Sequence, residues 1–419
     1  MLAASSVVVV SVFKIVTERD HVYITSTTQV KMSTSLESPR EKLSSGRCAR
    51  PMVHANDVPL LVKNLFGLTT VSVKEMSSYD DRNFCIKTDS EINNPYITEL
   101  CPHGYVFKIL NSQDSQNEKI VVAQNQMMLF LHSHGFNVPK PERNVHGTHW
   151  ILQKIYISTN GFVENNVDEQ QSVEYIVRLL TFIPGKTFYQ ITGTAELYYE
   201  TGVYTAKIDN ALKGFHNEAL KSRKFLWFLE NVPAISSMLY VVKDEKFKMM
   251  IQEILESWNS SVIPVLKNLE KGVIHGDFND QNIIVNATTD DPTTYHVDGL
   301  IDFGDIGYSY YVLELAITIS YNMIEVKTMS PIDVGGYTLA GYQTQGKISE
   351  AEFNILKECV AARIAQSLVI GAYSYEKEQE NKYLVATAVK GWDVLNTFWN
   401  TPKEEILSCW RKIAKNYKH

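Results

Sequence analysis

The chain is 419 residues long, 44% hydrophobic and 21% charged, with a net charge of -7. That length supports a large core and suits two lobes better than one. The acidic balance argues against a nucleic-acid surface, which needs a basic stripe, and fits cationic small molecules better. Five cysteines (Cys48, Cys85, Cys101, Cys359 and Cys409) are odd in number and scattered without C-x-x-C spacing, which reads as reduced thiols in a cytoplasmic setting and no zinc site.

Residues 1–55 differ in kind from the rest, with an apolar Val7-Val8-Val9-Val10 stretch ahead of a run rich in Ser, Thr, Lys and Arg. The apolar part is too short to span a bilayer. No basic segment precedes it, as a signal peptide would require, and the scarcity of acidic residues before Glu18 keeps a mitochondrial transit peptide as the lesser alternative. The expectation is a poorly ordered extension over 1–55, without membrane association.

Strand-like residues 70–73 and 84–87 flank a polar loop. There Tyr79, Asp80, Asp81, Arg82 and Asn83 offer short polar side chains and backbone N–H groups to a nucleotide's phosphates; a plain hairpin turn accounts for them equally well. Cys101-Pro102-His103-Gly104 reads as a turn into a strand over 105–110. Lys108 then stands among apolar residues and needs a partner, unless the strand is an edge facing water. A helix is predicted over 118–134, with Val121, Met128, Leu129 and Leu131 on its apolar face and Gly135 as its stop. On it, Gln124 or Glu118 is the candidate partner of Lys108, although Gln brings no charge. Strands over 150–157 and 175–181 lead to Phe182-Ile183-Pro184-Gly185-Lys186, a chain reversal or hinge.

The strongest signal lies further on. His275-Gly276-Asp277-Phe278-Asn279-Asp280-Gln281-Asn282 is followed by Ile301-Asp302-Phe303-Gly304-Asp305, and apolar runs at 273–274, 283–285 and 299–301 put the polar groups at strand ends. Phosphoryl transfer needs little covalent help; it needs an in-line hydroxyl and neutralised phosphate charge. Asp277 is therefore the candidate catalytic group that accepts or orients the hydroxyl proton, Asn282 and Asp302 are candidate Mg2+ ligands, and Lys108 contacts phosphate. Each short motif alone is common turn chemistry; in this order, between strands, they form one metal-and-hydroxyl site. His275, at the head of the loop, belongs to the scaffold.

Periodicity predicts helices over 247–262, 312–323 and 350–372, the last opening with a capping box from Ser349 to Glu352. Trp227, Tyr310, Tyr373 and Trp392 are candidates for an amine pocket, though such aromatics are more often core. Arg363 reads first as a solvated surface residue, with pairing to a substrate's carboxylate as the alternative. The fold class is α+β and two-lobed like a protein kinase, with a small β-rich nucleotide-binding N-lobe over 56–183 and a larger helical, catalytic and substrate-binding C-lobe over 184–419.

Together these residues resemble the aminoglycoside phosphotransferase and choline kinase superfamily, and Gly276, where protein kinases usually carry Arg, favours that branch. Within it, Ser78-Tyr79-Asp80-Asp81-Arg82-Asn83-Phe84, Val177-Arg178-Leu179-Leu180-Thr181, the two motifs above, Pro331-Ile332-Asp333-Val334-Gly335-Gly336-Tyr337 and Gln366-Ser367-Leu368-Val369 resemble the hydroxylysine kinases, over residues 57–418. The resemblance implies phosphorylation of the side-chain hydroxyl of 5-hydroxy-L-lysine, a product that enters lysine degradation, and GTP as donor with ATP as the alternative. It carries Asp277 over as catalytic base, Asn282 and Asp302 as metal ligands and Lys108 as phosphate contact; Gln124 departs from the superfamily's Glu. Two other readings compete: a kinase of another amino alcohol of choline, ethanolamine or aminoglycoside type, and a kinase-like protein that binds nucleotide without turnover.

Overall fold

The computed structural model describes residues 10–18, 21–29, 50–156, 172–377, 379, 381 and 387–417. These fall into two compact units, the described parts of Met1–Val121 with Lys140–Phe182 and of Val122–Pro139 with Ile183–His419. The chain thus divides after Phe182, one residue before the expected boundary. Most of the helix expected in the N-lobe belongs with the second unit.

The first unit is a sheet. Its strands are β1 (Val10–Glu18), β2 (His21–Gln29), β3 (Leu68–Met76), β4 (Arg82–Ile92), β5 (Tyr105–Ile109), β6 (Ile151–Tyr156) and β7 (Ser172–Thr181), in the order β2-β1-β6-β7-β5-β4-β3. All its pairings are antiparallel except β1 with β6. The β1–β2 hairpin lies within the segment 1–55 that the sequence reading sets apart as an extension; the rest of residues 1–49, with Cys48, lies outside the described residues. Helix α1 (Val58–Phe66) buries Val58, Leu61, Val62, Leu65 and Phe66. They pack in one cluster with Phe84, Ile86, Tyr105, Phe107 and Ile109, Phe66 meeting Phe107 edge to face at 6.2 Å. Alternation along β5 turns Phe107 and Ile109 into that core and Lys108 to the other face. With β4 on one side and β7 on the other, β5 is an interior strand, which excludes the water-facing edge for Lys108.

Helix α2 (Glu118–Ser133) crosses from the first unit into the second and ends where Gly135 takes φ +84, as its stop signal predicts. The second unit continues with β8 (Lys186–Thr187), α3 (Ala195–Leu212), α4 (Glu218–Lys221), α5 (Glu245–Ser257) and α6 (Ile263–Leu266). The strands β9 (Lys271–Ile274), β10 (Ile283–Ala287), β11 (Tyr295–Leu300) and β12 (Gly307–Tyr310) follow. Then come α7 (Tyr311–Glu325), α8 (Pro331–Gln345), α9 (Glu350–Lys377), α10 (Ala388–Asn400) and α11 (Lys403–Asn416). Helix α9 opens with the predicted capping box: Ser349 N–H and Oγ donate to Glu352 Oε2 at 2.8 and 2.7 Å, and Glu352 N–H returns to Ser349 Oγ at 3.2 Å. Among the described residues no helix is long and apolar enough to cross a membrane, and Cys85, Cys101, Cys359 and Cys409 are free thiols.

Candidate active site

In the second unit, strand pairing brings two distant loops together. β9 pairs with β12 and β10 with β11, all antiparallel, so residues 275–282, between β9 and β10, run beside 301–306, between β11 and β12. The loops are tied directly: Ile301 N–H donates to the Asn282 carbonyl at 2.9 Å, and His275 Nε2 lies 3.2 Å from the Ile301 carbonyl. His275 is fully buried, edge-on to Phe303 at 4.9 Å, and its Nδ1 accepts from Asp277 N–H at 3.3 Å. Burial pushes its pKa down to about 4, so it is a neutral scaffold residue, as the sequence reading held.

Gly276 takes φ +82, a left-handed conformation that glycine adopts without a Cβ penalty. Its N–H donates to the buried Glu314 carboxylate on α7, at 2.9 and 3.3 Å. Asp277 Oδ2 accepts from Asn279 Nδ2 and Asn282 Nδ2, each at 2.8 Å, and Oδ1 from Arg363 Nη2 at 3.2 Å. A carboxylate has about four acceptor positions. Three are taken by donors, so one remains for a substrate hydroxyl, on Oδ1, the oxygen with a single donor. Burial raises the Asp277 pKa, and Arg363 followed by the two Asn amides holds it down.

Sequence reasoning missed Arg363. Its side chain is 1% exposed, with Trp227 and Tyr321 rings at 5.3 and 5.4 Å from the guanidinium and Nη1 donating to the Trp227 carbonyl at 2.9 Å. The signal was present: an Arg inside a helix of apolar neighbours must find a partner. Burial also drives up the carboxyls nearby, Asp280 to about 7, Glu314 to about 7 and Asp305 well above its ordinary range. Of the four aromatics considered for an amine pocket, Trp227 flanks this site, whereas Trp392 stacks on Phe247 at 4.8 Å as packing.

The two residues expected as metal ligands offer oxygens of the kind a divalent cation takes. Asn282 gives Nδ2 to Asp277, so its carbonyl Oδ1 is the atom that would meet a cation. Asp302 is exposed and has φ +58, the single positive φ of a non-glycine residue among the described residues, a strained setting of the kind found where a carboxylate is aimed at a ligand. One amide and one carboxylate make a partial shell, which suits an ion that brings phosphate and water oxygens of its own. The loop after Asp302 is braced by Arg223, which donates to the Gly304 carbonyl at 2.9 Å and the Ile306 carbonyl at 2.5 Å, and by Gln124 Nε2, which reaches the Gly304 carbonyl at 3.1 Å.

In the first unit, Lys108 Nζ lies 3.0 Å from Asp81 Oδ2. Its acidic partner therefore comes from the turn before β4, which corrects the expectation of Gln124 or Glu118 on the helix. The phosphate-capping loop is also smaller than expected. Arg82 and Asn83 stand in β4, Arg82 donating to Glu75 and to the Pro51 carbonyl, and Asn83 pairing in register with Lys108. Tyr79 and Asp80 remain in the turn.

The chain matches the phosphotransferase enzyme family over residues 76–344. It is 34% identical to the hydroxylysine kinase of Xenopus laevis over 377 residues, 88% of this chain and 96% of that one. To the hydroxylysine kinase of Bos taurus it is 33% identical over 365 residues, 85% of this chain and 92% of that one. Among solved structures it is similar in fold to an amicoumacin kinase in complex with AMP-PNP and Ca2+, with TM-score 0.55 and 14% identity over 83% of this chain and 94% of that one. A microcompartment-associated aminopropanol kinase gives TM-score 0.54 and 12% identity over 82% of this chain and 97% of that one.

Proposed function

The chain belongs to the phosphotransferase enzyme family and within it groups with the hydroxylysine kinases; from that premise we propose that it transfers the terminal phosphoryl group of GTP to the side-chain hydroxyl of 5-hydroxy-L-lysine, giving 5-phosphohydroxy-L-lysine in the cytoplasm. The observation that carries this reading is likeness to hydroxylysine kinases along nearly their whole length, joined to an Asp277 carboxylate with one acceptor position open.

In this mechanism the substrate hydroxyl donates its hydrogen bond to Asp277 Oδ1, its oxygen attacks the terminal phosphorus, the bond to the bridging oxygen breaks, and the hydroxyl proton passes to the carboxylate. Three donors fix the Asp277 carboxylate in one orientation. Its main contribution is then to hold the oxygen in line, and proton transfer comes late, as suits a transition state with little bond formation. Asn282 Oδ1 and Asp302 would hold Mg2+, which supplies charge neutralisation at the phosphates. Lys108 contacts the phosphate oxygens.

The test is purified protein with Mg2+, GTP or ATP, and a panel of hydroxylysine, lysine, choline and ethanolamine. Phosphate transfer to hydroxylysine and none to lysine is expected; transfer to choline or ethanolamine instead would replace the substrate, and none at all while nucleotide binds would replace the enzyme. Asp277→Asn should bind nucleotide and lose turnover by about 10³-fold or more, as positioning and proton transfer each contribute about 10².

A further inference from the structure

We infer that Asp81 is the residue that positions Lys108 for the nucleotide phosphates, and that this ion pair is built into the sheet independently of any helix. The inference rests on the phosphotransferase reading above and adds a residue to it. In protein kinases the corresponding strand lysine pairs with a Glu on a mobile helix, and moving that helix makes or breaks the pair. This chain carries Gln124 where that Glu is expected, and Gln124 is engaged with the Gly304 carbonyl at 3.1 Å.

Asp81 is fixed from several directions within the first unit. Its Oδ2 faces Lys108 Nζ at 3.0 Å, with the two side chains 12% and 7% exposed. Its Oδ1 accepts from Asn111 N–H at 2.7 Å and from Asn111 Nδ2 at 3.2 Å. Its carbonyl accepts from Ser78 Oγ at 2.5 Å and Arg50 Nε at 3.3 Å. Asp81 closes the turn into β4 and Asn111 stands just past the end of β5, two strands in register, so the carboxylate is placed by the same ladder that places the lysine. A buried ammonium needs a buried counter-charge, and Asp81 supplies one from within the first unit. Lys108 is therefore held in place by Asp81 before nucleotide arrives.

The experiment is a double-mutant cycle of Asp81→Asn and Lys108→Met, read as Kd for Mg2+·GTP and Mg2+·ATP by calorimetry and as nucleotide KM and kcat, with melting curves to show that each protein is folded. Asn at 81 keeps an oxygen for Asn111 and removes only the charge. Asp81→Asn should weaken nucleotide binding about 10-fold in the wild-type background and less than about 2-fold in Lys108→Met, since coupled residues are non-additive. The same factor in both backgrounds would mean that Asp81 acts structurally and overturns the inference. Should Asp81→Asn not fold, the cycle is run with Asp81→Ser, which likewise removes the charge, and the same two outcomes decide. If the wild-type protein bound neither nucleotide, the phosphotransferase reading would fall with the inference; binding with an additive cycle would remove the inference alone.

Discussion

Gly276→Ala tests whether the contact between the two loops sets the geometry of Asp277. A Cβ built on Gly276 lies 2.5 Å from the Asp305 carbonyl oxygen, and the residue takes φ +82. A left-handed backbone alone costs an L-residue about 1–2 kcal/mol. The clash comes on top, and backbone cannot step aside as a side chain can: 301–306 is tied to the catalytic loop through Ile301 N–H on Asn282 and His275 on the Ile301 carbonyl. Relief must shift Asp277 relative to Asp302, and a displacement near ~1 Å costs roughly 10²-fold in rate. Gly135→Ala separates the two contributions, because Gly135 takes φ +84 with no atom within 4 Å of its Cβ position. Steady-state kinetics and melting curves on both variants provide the assay. Gly135→Ala should melt about 1–2 °C lower, since a cost of about 1–2 kcal/mol is set against an unfolding entropy of roughly 0.9 kcal/mol/K for a chain of this length, with kcat within about twofold of wild type. Gly276→Ala should fold, given total stabilities of about 5–15 kcal/mol, yet lose about 10²-fold in kcat. A folded Gly276→Ala protein with wild-type kcat would refute the reasoning.

Three further outcomes are expected. His275 has a pKa of about 4 in the fold against 6.5 unfolded. The unfolded chain binds its proton first, so this stability is present above pH 6.5 and is lost as pH falls toward 4, by about 2 kcal/mol between pH 7 and 5. Urea unfolding of wild type and His275→Gln at both pH values should differ by that slope, and equal slopes would mean His275 titrates normally in the fold. Arg363→Met breaks a buried ion pair and should cost about 3 kcal/mol or more in urea unfolding, together with a large drop in kcat; wild-type kcat in that variant would remove the guanidinium from the active site. Glu314→Leu leaves the Gly276 N–H without its acceptor, whereas Glu314→Gln keeps one, so Leu should be the less stable by about 1–3 kcal/mol, and equal melting temperatures would count against that hydrogen bond.

What the sequence disclosed follows from how far apart the cooperating residues lie. Asp277 and Asn282 share one loop and Asp302 ends the next strand pair, so spacing and flanking apolar runs were enough to assemble them. Lys108 was visible as a charge in an apolar strand, but its ion partner is not a local neighbour: Asp81 reaches it across the β4–β5 ladder, and the sequence reading looked along the following helix instead. Arg363 was hardest, 86 positions from Asp277 on a helix with an almost unbroken run of buried residues from Phe353 to Gly371. An amphipathic stripe gives burial away through its period; a helix buried all round has no polar face to betray which side is which. For such a helix the informative positions are the polar ones. Lys357 donates to the Trp399 and Thr401 carbonyls at 2.9 and 2.6 Å. Gln366 donates to the Leu226 and Phe228 carbonyls at 3.0 and 3.2 Å, and Arg363 joins the same backbone segment to Asp277. Since a buried polar side chain without a partner costs more than packing can recover, each of the three had to mark a long-range junction, and the one that carried a fixed charge marked the Asp277 carboxylate.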